Sequence, residues 1–304
     1  MDLRRLEIFA KVAELGSFSR AAEALFLTQP TVSEHVRALE DELGVQLLDR
    51  LGRGAAPTRA GQLLLGYARR ILALATEARQ AVDQFQGRMS GELVVGGSTI
   101  PGEYILPGTV AEFRSKYPEV SISLLIGDSR QVAGWVEAGR VEAAIVGARP
   151  AARALDARAL MDDELVVIVS AQHPWASRTS VSLDAVRAEP MIARERGSGS
   201  REALETALGR VGADLSDFRV VAEMGSTQAV KQAVRAGVGI AIISQRAVEV
   251  ECRAQLISCV RIDGLTIGRA FFLVTHRERS RSPLAQAFLE FVEAQYPDRP
   301  AGAS

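Results

Sequence analysis

The stretch Ser17–Leu48, SFSRAAEALFLTQPTVSEHVRALEDELGVQLL, constrains what this chain can fold into more than any other. Two short helical patterns flank Phe26-Leu27-Thr28-Gln29-Pro30. In the second pattern Thr28 offers an oxygen to orphan N–H groups, and Pro30 stands in the first turn, where a missing N–H costs nothing. Val32, Val36, Leu39 and Leu43 recur at helical spacing and predict a buried face. The other face carries Gln29, Thr31, Ser33, Glu34 and Arg37, whose hydrogen-bonding groups suit base edges and phosphates in a major groove. An ordinary capped amphipathic helix explains the same residues equally well. The flanking segments decide between the two.

Upstream, Leu3, Leu6, Phe9, Ala10 and Ala13 predict a first amphipathic helix, and Ser17 or Ser19 caps a second whose Ala21, Ala22 and Leu25 allow close packing. Downstream, Arg50-Leu51-Gly52-Arg53-Gly54 takes the position of a wing whose arginines can enter a minor groove. On LRRLEIFAKVAELGSFSRAAEAL, TQPTVSEHVRALEDELGVQLLDR and PTRAGQLLLGYARRIL, residues Leu3 to about Leu72 resemble the winged helix-turn-helix of LysR-type transcriptional regulators. Leu48 stands where that family usually has Phe. The resemblance implies a double-stranded DNA partner, an operator, contacted by Gln29, Pro30, Thr31, Ser33, Arg37, Arg50 and Arg53.

The 304 residues suit a small domain followed by a larger one. A formal net charge of −1 gives no bulk attraction to DNA. A local strip of Arg50, Arg53, Arg59, Arg69 and Arg70 contains no acidic residue, although Glu40, Asp41 and Glu42 end the recognition helix. Binding is therefore expected to depend on geometry and dimerisation. The start of the chain lacks the apolar core of a signal peptide and no later run can span a bilayer, so a cytoplasmic protein without a membrane partner is expected. In that reducing setting Cys252 and Cys259 read as packing residues rather than a disulfide. His35, His173 and His276 are too scattered to suggest a metal, and no cofactor is expected.

From Ala60 the residues Leu64, Tyr67, Ile71, Leu74, Ala78, Ala81 and Phe85 follow in steps of three and four. Such a seam predicts one long helix that pairs with its copy. The Gly87–Gly91 segment GRMSG then reads as a hinge. The expected division is 1–58 for the winged helix-turn-helix, 59–90 for the linker helix and hinge, and 91–304 for a ligand-binding domain. A dimer would present two recognition helices about one DNA turn, roughly 34 Å, apart. The resemblance further implies a tetramer through linker helices and effector domains, with RNA polymerase as another candidate partner.

After the hinge, predicted strands at 92–96, 120–126 and 143–147 alternate with helices at 105–116 and 131–138, and a second series runs from Leu165. Alternation of this kind predicts α/β sheets whose strand ends hold the ligand. It is similar to the two-lobed LysR effector domain, itself like periplasmic solute-binding proteins. That likeness implies lobe one at about 91–162 and 268–304 and lobe two at about 163–267. Several strand ends lead into hydroxyl residues before a helix: Ser98-Thr99, Ser129, Ser198-Gly199-Ser200 and Ser226-Thr227. Each can act as a plain cap, or several together can take a small anion.

Arg194-Glu195-Arg196-Gly197-Ser198-Gly199-Ser200-Arg201 resembles the RExGSGTR signature of one LysR branch, as do GSTQAVKQAV from Gly225 and Ser33-Glu34-His35-Val36. That branch includes sulfite-responsive regulators of sulfur assimilation and carbon-fixation regulators that answer phosphorylated metabolites. The expected pocket is Ser98, Thr99, Ser129, Ser198, Gly199, Ser226 and Thr227, oriented by Arg194 and Glu195. Sulfite or a related sulfur oxyanion ranks first as effector, a phosphorylated metabolite second and a carboxylate third. An enzyme is disfavoured, because no Gly-x-Ser-x-Gly elbow or nucleophile–histidine pair occurs and Gly237-Val238-Gly239 follows a helix. A solute-binding protein would leave the first ninety or so residues unexplained.

Overall fold

The Asp2 carboxylate accepts the Arg5 N–H and starts helix α1 (Leu3–Leu15), which ends at Gly16 in the left-handed conformation. In this computed structural model, which describes residues 2–51, 54–85 and 89–296, the chain forms two units, 1–88 and 89–304. Ser17, not Ser19, caps α2 (Phe18–Ala24), and Thr28 caps α3 (Gln29–Leu43). Leu6, Phe9, Val12, Ala21, Ala22, Val32, Val36 and Leu39 close the core between the three helices. Leu3 and Leu43, expected inward, are each 41% exposed, because each stands at a helix end beyond the reach of that core.

Strands β1 (Leu48–Leu51) and β2 (Gly54–Pro57) pair antiparallel as the wing. The Glu40 Oε1 accepts the N–H groups of Leu47 (2.7 Å) and Leu48 (3.1 Å) and fixes the start of β1. Helix α4 (Arg59–Phe85) follows, lying so close to the Leu47 backbone that a Cβ on Gly61 would run into its carbonyl oxygen. The seam expected along α4 divides. Ala60, Leu64 and Ile71 pack beside buried Ala68 on the unit's own core, whereas Tyr67 and Leu74 are 55% and 61% exposed. Ala78 is exposed too, and the side chains of Ala81 and Phe85 lie outside the described residues, as do residues 86–88 of the expected hinge.

The second unit contains a repeated motif. β3 (Gly91–Ser98), a π-helical turn at Pro101–Ile105, α5 (Leu106–Lys116), β4 (Val120–Gly127), α6 (Ser129–Glu137) and β5 (Ala143–Val146) form a parallel sheet in the order β4-β3-β5. The long β6 (Leu155–Ser170) leads out, followed by β7 (Ser180–Val181) and α7 (Leu183–Ala188). Then β8 (Met191–Arg194), α8 (Gly199–Arg210), β9 (Val220–Met224), α9 (Thr227–Arg235) and β10 (Ile240–Ser244) form a parallel set in the same relative order, β9-β8-β10. The chain continues through α10 (Glu249–Arg253) and β11 (Ile257–Ile262), returns on β12 (Ile267–His276) and ends its described part with α11 (Pro283–Gln295). β12 pairs antiparallel with the first part of β6, residues 155–165, and the two join the halves, with a bulge between Phe271 and Phe272. One core runs from Leu93 and Phe113 through Ile168 and Phe271 to Val230 and Ile243. The sheet is thus parallel within each half and antiparallel where the halves meet, a mixture the alternation of strands and helices did not reveal.

Candidate DNA interface and ligand pocket

Packing Val32, Val36 and Leu39 inward turns the opposite face of α3 to solvent. A shallow groove there is lined by Gln29, Pro30, Ser33, Glu34, Arg37 and Glu40. Thr31 is partly used otherwise, since its N–H donates to Thr28 Oγ1 and the two hydroxyls lie 2.8 Å apart. Arg50 lies in β1 opposite Ala55, and Arg53 falls outside the described residues. One charge of the basic strip and one of the acidic residues that end α3 are committed elsewhere. Arg69 pairs with Glu14 at 3.2 Å, and Glu40 accepts backbone N–H groups.

In the second unit each parallel set has a switch point between its first and third strands, where helices leave on opposite faces and a crevice opens at the strand ends. The two crevices face each other. Ser98, Thr99, Ile100, Asp128, Ser129, Arg194, Ser198, Gly199, Ser200 and Arg269 line the resulting pocket. Gly199 is required by the approach of the two sides, because a Cβ there would lie 2.6 Å from the Gly147 carbonyl oxygen.

The hydrogen bonds show which groups remain available. Gly147 N–H donates to both Ser98 Oγ (3.0 Å) and Ser129 Oγ (3.3 Å), so both buried hydroxyls act as acceptors and keep their protons for another group. No side chain caps α8, although Ser198 stands at its N-cap and is buried with Ser200. Its leading N–H groups and the positive end of its dipole therefore point at the pocket without a side-chain acceptor. Asp128 is the one carboxylate on the wall, and it caps α6 by accepting the Gln131 N–H at 2.8 Å.

Two buried guanidinium groups flank these donors. Arg194, 4% exposed, is held by both oxygens of Glu195 at 2.8 Å and donates to Thr227 Oγ1 at 2.7 Å and Thr99 Oγ1 at 3.4 Å. Arg269 donates to Asp163 at 2.8 Å, and Asp163 also accepts from Ser244 Oγ at 2.6 Å. Burial lowers the pKa of Arg269, Asp163 works against that, and the charge of Arg194 adds to the lowering. An anion between the two guanidinium groups would relieve that repulsion.

The expected pocket residues thus separate by role. Ser98, Thr99, Ser129, Ser198 and Gly199 meet at the wall, with Arg194 on it. Thr227 and Glu195 hold Arg194 from behind rather than facing the cavity. Ser226 is corrected: it is exposed, and its hydroxyl accepts the Ala229 N–H as an ordinary cap. Asp128 and Arg269 were missed. Arg201 donates to the Arg194 carbonyl and to Glu223, pinning the loop. The described residues contain no cluster of metal ligands and no helix long and apolar enough to cross a membrane.

Two family models match this chain. Residues 3–62 match the bacterial regulatory helix-turn-helix protein model of the lysR family, and residues 86–297 match the LysR substrate binding domain. A probable RuBisCO transcriptional regulator of Cyanidium caldarium is 34% identical over 94% of this chain and 91% of its own length. The RuBisCO operon transcriptional regulator of Allochromatium vinosum is 33% identical over 96% of this chain and 95% of its own. Among solved structures, the Synechocystis CcmR regulatory domain in complex with 2-PG aligns at TM-score 0.63 and 30% identity, covering 70% of this chain and all (100%) of that domain. Full-length CbnR with its target DNA shares the fold at TM-score 0.70 and 24% identity, over 97% of this chain and 99% of that one.

Proposed function

The chain belongs to the LysR family of transcriptional regulators, and from that membership we propose that it controls carbon-fixation genes in response to a small phosphorylated anion such as 2-phosphoglycolate. The observation that carries the ligand class is the set of donors left without acceptors around the start of α8: the hydroxyls of Ser98, Ser129 and Ser198 and the uncapped helix N–H groups. Those groups suit a phosphate or carboxylate oxygen. The 2-PG complex of the Synechocystis relative supports the same class. Sulfite, first in order on the sequence, has no support from these relatives, and the phosphorylated ligand takes its place.

The cavity measures only ≈10 Å³, about the space one water needs. A phosphorylated metabolite requires the halves to move apart or the Arg194–Thr99 contact to give way. Binding therefore selects a more open arrangement, and that differential affinity lets a ligand alter the protein's arrangement on DNA. For DNA, the exposed groups of α3 support major-groove reading, with Arg37 the side chain best placed for bases or phosphates.

Calorimetry of the full chain against 2-phosphoglycolate, inorganic phosphate and sulfite tests the ligand. Saturable binding of 2-phosphoglycolate is expected, weakened about tenfold by Ser198→Ala, the worth of one hydrogen bond to a charged group. Tighter binding of sulfite than of 2-phosphoglycolate, or no response to Ser198→Ala, would refute the assignment.

A further inference from the structure

We propose that Cys252 and Cys259 form a redox-responsive modification site, closing to a disulfide under a hydroperoxide and reopening under a dithiol. This inference does not rest on the ligand reading above. Both cysteines are half-buried at the edge of the core, where a small oxidant is the kind that fits. Their Sγ atoms lie 2.7 Å apart, and closing to the roughly 2 Å of a disulfide requires less than about 1 Å of movement.

The backbone keeps the two sulfurs together. Cys252 sits in α10, and Cys259 lies in β11 opposite Ile168 of β6. The turn between them is tied by Gln255 N–H to the Cys252 carbonyl (3.1 Å) and Leu256 N–H to the Glu251 carbonyl (2.9 Å). Gln255 adopts φ 55°, a left-handed conformation that non-glycine residues adopt only where the surroundings impose it.

Burial, reinforced by the neighbouring thiol, pushes the Cys259 thiol up, which suits it to the second, resolving step. Cys252, as thiolate, attacks the terminal oxygen of the hydroperoxide, the O–O bond breaks and the alkoxide leaves (hydroxide when the oxidant is hydrogen peroxide) and takes up the proton the thiol gave, giving a sulfenic acid. The Cys259 sulfur then attacks the Cys252 sulfur, the S–O bond breaks, and the departing oxygen leaves as water with the Cys259 proton. Two thiols lose two electrons and two protons, and the hydroperoxide is reduced to an alcohol, or to water when it is hydrogen peroxide.

The pair also adjoins a cross-link between the halves of the unit. Glu251, next to Cys252, accepts from Lys231 Nζ at 2.6 Å, and the same ammonium donates to the Ala247 carbonyl (2.9 Å) and to the Tyr104 hydroxyl (3.2 Å). Tyr104 belongs to the π-helical turn that begins just after Thr99 and Ile100 of the pocket wall. Drawing Cys252 toward Cys259 displaces Glu251 and loosens that ammonium.

The test uses the full-length protein treated with hydrogen peroxide, alkylated and mapped by mass spectrometry. An intramolecular 252–259 cross-link that dithiothreitol reverses is expected, together with at least about twofold faster amide exchange in α9 and the π-helical turn of the oxidised protein. Both thiols still alkylated after peroxide, or cross-links found only between chains, would overturn the proposal. Unchanged exchange in fully cross-linked protein would overturn the link to Lys231. Cys259→Ser is expected to leave a sulfenic acid on Cys252 that dimedone traps. Because the comparison of reduced and oxidised wild-type protein needs no variant, a poorly folded mutant cannot obscure the result.

Discussion

Glu40 takes two backbone N–H groups, so Glu40→Ala leaves partly buried donors unmet at Leu47 and Leu48. The expected cost is about 1–3 kcal/mol, seen as a lower melting temperature of the full chain, and Glu40→Gln should keep most of the stability by retaining an oxygen. A second residue-scale effect is alkaline. Burial raises the Tyr104 phenol above its ordinary 10.0. For Lys231 burial works downward, but Glu251 and Tyr104 outweigh it and the ammonium ends above 10.5. Both groups hold protons in the folded state that the unfolded chain releases, so their stabilisation is present below about pH 10 and is lost as pH climbs through the raised values. Melting curves from pH 9 to 11 (about that range) should fall less steeply for Tyr104→Phe with Lys231→Met than for the unaltered chain. The hydroxyls at Ser98, Ser129 and Ser198 were legible in the sequence because each follows a strand and precedes a helix. Arg269 and Asp163 were not: 106 positions separate them, and only the antiparallel register of β6 and β12 makes them neighbours.

Among elements, α3 was the most legible, since its cap, proline and apolar spacing all agree on one helix with one buried face. The linker helix α4 was only half legible. Steps of three and four establish a helix with an apolar stripe, but they do not say which partner each residue meets. Ala60, Leu64 and Ile71 meet their own domain, and Tyr67 and Leu74 face outward. Leu74→Glu is therefore expected to weaken self-association by roughly tenfold while leaving the melting temperature nearly unchanged, as sedimentation and calorimetry would record. Gly61→Ala should do the reverse, because a Cβ there meets the Leu47 carbonyl and forces the helix off the wing. Its expected cost is about 1–3 kcal/mol of stability.

At the scale of the whole molecule, the two family matches account for nearly all of the chain, and the repeated strand order in the second unit explains why a ligand would lie between its halves. The alternation of strands and helices made that class legible. The antiparallel pairing of β6 and β12 escaped it, since nothing in a strand's own residues says which distant strand will lie beside it. The central claim is that a phosphorylated anion binds at the uncapped start of α8 and opens the halves. A crystal structure of the full chain with 2-phosphoglycolate tests this most directly. The phosphate or carboxylate is expected within hydrogen-bonding distance of the Ser98, Ser129 and Ser198 hydroxyls and the leading N–H groups of α8, with Thr99 farther from Arg194 than the present 3.4 Å. A ligand bound outside this pocket, or bound inside it with the Arg194–Thr99 contact unchanged, would contradict the account.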